Sequence, residues 1–199
     1  MIMDLEDIAK HYGKMSDSQF INLITTRGVG LRPEVYDLIN NEIKKRNLNP
    51  KLFNSIEVQN KEFSIEEIEN YAELLRNLPC PECGSIDQKL NGTIIYKLKS
   101  FILFSINNTD YFIACPQCLN KKNNKAMFST SLLGWWGFPW GFFKTPLYIY
   151  RNYKIKKENK WSVPNNALLS FTLENIGKIE AYKDNKEKLI NIINSLTIK

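Results

Sequence analysis

Two Cys-x-x-Cys pairs, Cys80-Pro81-Glu82-Cys83-Gly84 and Cys115-Pro116-Gln117-Cys118, are the residues of this 199-residue chain whose type and spacing most directly specify chemistry. Zinc takes four sulfur or nitrogen ligands at the corners of a tetrahedron. Two thiolates separated by two residues span one edge of it, while neighbouring amides stabilise the sulfur charge. Cys80, Cys83, Cys115 and Cys118 therefore make a complete ligand set. Four sulfurs leave no open position for water, so the expected ion is a structural Zn2+ that contributes to folding and does not catalyse. Gly84 supplies the freedom needed just after the first pair. The competing uses are a redox dithiol or a disulfide. A thioredoxin-type dithiol requires a motif that opens a helix after a strand, and the sequence pattern places neither pair so. Lys89, Lys121 and Lys122 stand where they could offset the charge of the thiolates.

No other constellation of catalytic type assembles from spacing. His11 is the single histidine, in an acidic helical stretch distant in sequence from every cysteine, and reads as an exposed helix residue. Gly28-Val29-Gly30 has no preceding strand pattern and no third glycine at the right interval, so it reads as an interhelical turn and not as a phosphate loop. With no paired carboxylates and no nucleophile–base pair, an enzyme is not expected, nor a small-molecule substrate.

The second unusual stretch is aromatic. Ala126 to Phe143 carries no charge, and Phe128, Trp135, Trp136, Phe138, Trp140, Phe142 and Phe143 fall within it. Gly134, Gly137, Pro139 and Gly141 interrupt any regular membrane-spanning helix, and Pro146 closes the segment. Lys121, Lys122 and Lys125 precede it; Lys144, Arg151, Lys154, Lys156, Lys157 and Lys160 follow. A loop or bent helix touching an anionic surface fits this pattern. So does simple burial, in which Trp135, Trp136 and Trp140 pack on the metal module, the default for large aromatics. A peptide or nucleic-acid groove is a third use, since cations beside exposed rings grip phosphate and stack bases.

The elements that must position these groups are read from periodicity. Thr93 to Ile106 is strand-like, Asn107-Asn108-Thr109-Asp110 has turn chemistry, and Tyr111 to Ala114 resumes a strand, so a β-hairpin brings the cysteine pairs together as a zinc ribbon over residues 80–118. Ahead of it, helices are expected over 3–13, from a capping box at Ser16 to Gln19, and after Pro33, ending at Asn49-Pro50. A fourth starts at Ser64 and points Ile65, Ile68, Tyr71, Leu74, Leu75 and Leu78 to a core. Behind it, Asn165-Asn166 caps a helix that Gly177 breaks, and a last helix covers 183–196. Residues 156–160 read as an exposed loop.

The chain carries 27 basic and 21 acidic residues, a net +6, distributed as −3 over 1–79, +3 over 80–125, +5 over 126–165 and +1 over 166–199. An anionic partner should meet the middle. The start, Met1-Ile2-Met3-Asp4-Leu5-Glu6-Asp7, lacks the basic and apolar regions of a secretory signal, and free cysteines suit a reducing compartment. The expected location is cytoplasmic, with peripheral association at the inner face of the membrane as the variant.

Gly134-Trp135-Trp136-Gly137-Phe138-Pro139-Trp140-Gly141, a few residues after a paired Cys-x-x-Cys ribbon, resembles the signature of uncharacterised bacterial zinc-ribbon proteins, over roughly residues 80–150. The resemblance implies a metal-binding module and no particular reaction. Residues 15–46 resemble a small helical segment at the front of many bacterial proteins. The combined expectation is an α+β protein with a helical N-terminal segment (1–49), a linker and helix (50–79), a central zinc-ribbon β-hairpin module (80–125), an apolar Trp/Gly-rich element (126–150), and a basic loop with a helical C-terminal tail (151–199). Its expected role is a structural-zinc adaptor. It contacts a protein partner or an anionic membrane surface through Trp135, Trp136, Phe138, Trp140, Lys144, Arg151, Lys154, Lys156 and Lys157. A nucleic-acid-binding ribbon is the alternative.

Overall fold

A computed structural model describes residues 4–100, 105–136 and 139–195. Among them are ten α-helices, one 3-10 turn and a single antiparallel hairpin, a mostly helical α+β arrangement. The chain divides into two compact units. One comprises the residues up to Tyr71 with Thr172–Ile192; the other comprises Ala72–Phe171 with the chain from Ile193 onward.

The first unit is built from α1 (Leu5–Lys14), α2 (Asp17–Thr26), α3 (Glu34–Lys45), a 3-10 turn (Pro50–Leu52) and α4 (Asn54–Gln59), with α9 (Ile176–Tyr182) returning to complete it. Asp4 caps α1, and the expected capping box at α2 forms in full: the Gln19 amide donates to Ser16 Oγ while the Ser16 amide donates to Gln19 Oε1. Asn47, at φ 52°, turns the chain out of α3. Phe20, Ile24, Val35, Ile39, Ile43, Leu52, Ile56 and Ala181 form one core. The Arg46 guanidinium ties the first three helices together by donating to the carbonyls of Tyr12 and Met15 and to Glu42 and Asp17, and it lies over the Phe20 ring. The Gly28–Gly30 turn is held by amide side chains, Gln59 accepting from the Gly28 amide and Asn60 from that of Gly30. Residues 50–59 are thus core-forming helix where a linker was expected. Gly177 does not break a helix: it lies inside α9, where a Cβ would meet the Thr25 carbonyl at 2.6 Å.

The second unit contains β1 (Asn91–Ser100) and β2 (Ser105–Ala114), paired in register from Asn91↔Ala114 to Ser100↔Ser105, followed by α6 (Pro116–Leu133) and α7 (Trp140–Glu158). The chain enters this unit along α5 (Ile65–Arg76) and leaves it along α8 (Asn166–Glu174); α10 (Lys186–Asn194) ends the described helices. Leu75 on α5 and Leu78 just beyond it are buried as expected, but Ile65 and Leu74 are exposed, while Ala72 and Arg76 are buried instead. Asn107–Asp110 is not the hairpin turn. It is paired strand, opposite Leu98 to Ile95, because Asn107, Asn108 and Thr109 point to solvent and Asp110 pairs with Lys97, so turn propensity yields to cross-strand pairing.

β1 has one edge on β2; the other is met by side chains. Asn165 accepts from the Gly92 amide and donates to its carbonyl, Asn152 does the same for Tyr96 (2.9 and 2.6 Å), and Thr130 accepts from the Leu98 amide. Three side chains from α6, α7 and the start of α8 stand in for a third strand and protect an edge that would otherwise pair with another chain. This is why Asn152 and Asn165 are buried, and with them Asn159, which closes α7 by donating to Asn120 and Asn123. The expected exposed loop at 156–160 is therefore the end of α7 and its buried cap, and Pro146 lies inside α7 instead of closing the segment.

Candidate metal centre and an exposed aromatic end

Cys80 and Cys83 sit on a tight knuckle ahead of β1. The Gly84 amide donates back to the Cys80 carbonyl, and Gly84 itself adopts φ +73°, which favours glycine. Cys115 follows β2 as the N-cap of α6, with Pro116 at the first helical position and Cys118 in the first turn. The strand-then-helix placement withheld from both pairs on sequence grounds is thus the placement of Cys115 and Cys118. The sequence hid it because the buried side of α6 is Leu119, Asn123, Ala126 and Thr130, which carries little apolar periodicity.

The register of the hairpin brings Asn91 against Ala114, and so the knuckle against the helix start. All four sulfurs lie within 4.8 Å of one another, with Cys83 Sγ and Cys115 Sγ 3.8 Å apart. A tetrahedral ion with sulfur ligands at about 2.3 Å requires sulfur–sulfur edges of about 3.8 Å, so the quartet matches the size of a zinc site. All four cysteines are free, and the 3.8 Å between Cys83 Sγ and Cys115 Sγ is far beyond the roughly 2.05 Å of a disulfide bond. Cys80 and Cys115 are buried, Cys118 is half-buried and Cys83 exposed. Burial works to raise the Cys80 thiol, but the amides of Cys115, Glu82 and Cys83 outweigh it and hold Cys80 below the ordinary thiol range. For Cys118, burial and then the neighbouring thiols of Cys115 and Cys83 push the pKa well up; Cys115 is raised by burial and by Cys80 and Cys83. Sulfurs brought this close repel as thiolates until a cation joins them. Of the lysines expected to offset that charge, Lys122 pairs with Glu82 inside the first cysteine pair, Lys89 is engaged by Glu73, and Lys121 is exposed.

α6 runs from the cysteines to the aromatic segment, about 25 Å at the helical rise. There α6 and α7 meet through very small residues. A Cβ on Gly141 would stand 2.6 Å from the Gly134 carbonyl, and one on Gly134 would stand 2.3 Å from Thr145 Oγ1. The buried stripe of α7 is Gly141, Thr145 and Asn152; that of α6 is Leu119, Asn123, Ala126 and Thr130, with only small residues toward the tip. With the inside this narrow, the large rings stand outside. Trp136, Trp140, Phe142 and Phe143 are each 65–73% exposed and Trp135 is 40% exposed. The expectation that the tryptophans pack on the cysteine module fails for this steric reason. The indole N–H groups of Trp135 and Trp136 donate back to the carbonyls of Ser131 and Leu132 at the end of α6.

Of the remaining residues assigned to a contact surface, Phe138 lies outside the described residues. Arg151, Lys154 and Lys157 are exposed along α7, Lys144 is half-buried, and Lys156 donates to Asn124. Arg151 rests against the rings of Tyr96 and Tyr148, and Lys157 over Tyr153. Exposed Phe128, Phe142 and Phe143, named in the aromatic segment but not in the contact surface, join the aromatic end, as do Leu132 and Leu147. The signal for them was the 3.6-residue recurrence of small and amide residues, which marks the inward face and so the outward one. His11 is exposed, as expected. No helix among the described residues is long and apolar enough to cross a membrane. Comparison of the chain with protein-family profiles, curated proteins and solved structures gives no match.

Proposed function

We propose that the protein is a non-catalytic, structural-zinc adaptor in which a four-thiolate ion fixes the root of the α6–α7 pair, and the far end of that pair is a docking surface. The observation that carries this is the closed quartet of sulfurs at the first turn of the helix whose other end bears the exposed tryptophans. Zn2+ supplied at Cys80, Cys83, Cys115 and Cys118 would neutralise the thiolates and lock the knuckle to the helix start. A fully sulfur-ligated ion offers no position for substrate, which separates this reading from metal-assisted hydrolysis. The zinc-ribbon resemblance agrees in ligand type, while the second pair lies on a helix and not on a second knuckle.

Two measurements on the purified chain test it. Metal analysis should give one zinc per chain, falling below about half an equivalent in Cys83→Ser. The variant Trp135→Ser/Trp136→Ser/Trp140→Ser should keep its helical signal and melting temperature within the range of ordinary surface changes, about ±0.5 kcal/mol, and lose binding of a hydrophobic dye. A triple variant that unfolds would place the rings in a core and end the docking reading.

A further inference from the structure

Resting on that docking reading, we infer that the partner of the α6–α7 end is an anionic lipid surface, entered end-on by the tip of the helix pair. At the tip the packing is inverted relative to an ordinary surface helix pair, with Gly134, Gly141 and Thr145 inside and large aromatics outside. Interfaces built from small residues, with bulky apolar groups turned outward, belong to helices whose surroundings are hydrocarbon. The two indole N–H groups that would otherwise need water already bond to the last carbonyls of α6, and those bonds also satisfy carbonyls that a helix end leaves open.

The order of side chains with distance from the tip argues against a protein or nucleic-acid partner. Along α7 the exposed side chains run Phe142, Phe143 and Leu147, with half-buried Lys144 among them, then Tyr150, Arg151 and Tyr153, with Lys154 and Lys157 farthest back. From Trp140 to Leu147 is about 10 Å along the axis, close to the roughly 5–10 Å that interfacial helices bury. The tyrosines then stand at headgroup level. α6 repeats the order in the opposite chain direction, with exposed Lys121 and Lys125 toward the cysteines and Phe128 and Leu132 toward the tip. A layered medium demands that both antiparallel helices share one profile of depth. A nucleic-acid strand would use the level where Arg151 and Lys157 lie against Tyr148 and Tyr153, and would leave Phe142, Phe143 and Leu147 at the tip uncovered. No aspartate or glutamate occurs between Asp110 and Glu158, so nothing along this stretch repels an anionic headgroup.

The test uses the zinc-loaded full chain with phosphatidylcholine vesicles, with and without phosphatidylserine. Cosedimentation should be at least about tenfold stronger with phosphatidylserine and weaken with salt. Lipids brominated in the acyl chain should quench the tryptophan fluorescence. Two variants separate the layers, each checked by its melting curve: Phe142→Ser/Phe143→Ser should lose the binding, and Lys154→Glu/Lys157→Glu should lose the preference for phosphatidylserine. Absence of binding to both vesicles, or binding of equal strength to both, overturns the inference, as does binding to an oligonucleotide in place of vesicles. If binding is absent while the triple tryptophan variant stays folded, the docking surface stands with a different partner; if that variant unfolds, both readings fail together.

Discussion

At the residue scale, the four sulfurs were legible from spacing, and their mutual perturbation is what the structure adds. Without a cation, burial and neighbouring thiols raise Cys115 and Cys118. These two sulfurs therefore hold protons at neutral pH, and metal must displace them. Protonation competes with the ion, so the apparent zinc affinity rises with pH. Because both groups lie above the ordinary thiol value of about 8.5, the rise continues through the neutral range instead of levelling off below it. Competition with a chromogenic chelator should give a gain of more than about one decade in affinity per pH unit, reflecting more than one proton released per ion. An affinity independent of pH would exclude binding by the four thiols. What spacing left illegible was the helix beneath the second pair: Pro116 signalled it, but Asn123, Ala126 and Thr130 do not spell an apolar face.

At the element scale, the glycines of the aromatic segment have a different meaning from the one their spacing suggests. Interleaved glycine and tryptophan read as a loop or bent helix, and Gly134 and Gly141, both at negative φ, serve the close approach of two helices. Gly141→Val should therefore destabilise the fold by about 1–3 kcal/mol, read as a shift of the denaturant midpoint. Gly13, in α1 with open space where a Cβ would stand, is the contrast: Gly13→Ala should stabilise by up to about 1 kcal/mol. If Gly141→Val were neutral, the helix pair would not be as closely apposed as described. The elements read correctly from sequence are those with local signals, the capping boxes at Ser16 and Ser64 among them. Those misread were decided by distant partners: Asn107–Asp110 by β1, residues 50–59 by the core around Ile24 and Ile56, and Asn159 by Asn120 and Asn123.

At the scale of the whole molecule, the cysteine quartet lies entirely within one of the two units. Removing zinc with a chelator should raise amide exchange in the knuckle, in the hairpin and at the start of α6. The amides of α2, α3 and α4, whose core is Phe20, Ile39 and Ile56, should stay protected. Exchange that rises uniformly across the chain would mean that the metal supports both units alike. Periodicity does not foretell this division into two units, because it marks helices but does not say which distant helix completes which core.

That division also fixes an order of events during synthesis. The unit that holds the cysteines is nearly continuous in sequence, whereas the one assembled from the first 71 residues closes only when α9 arrives and Gly177 settles against the Thr25 carbonyl. On a ribosome adding about 5–20 residues per second, the helices that emerge first must wait roughly 5–20 s for residues 176–182. The helices of this core are made well before the one that closes it, and for that interval the side of α4 that α9 will cover is open to any chaperone waiting at the exit tunnel.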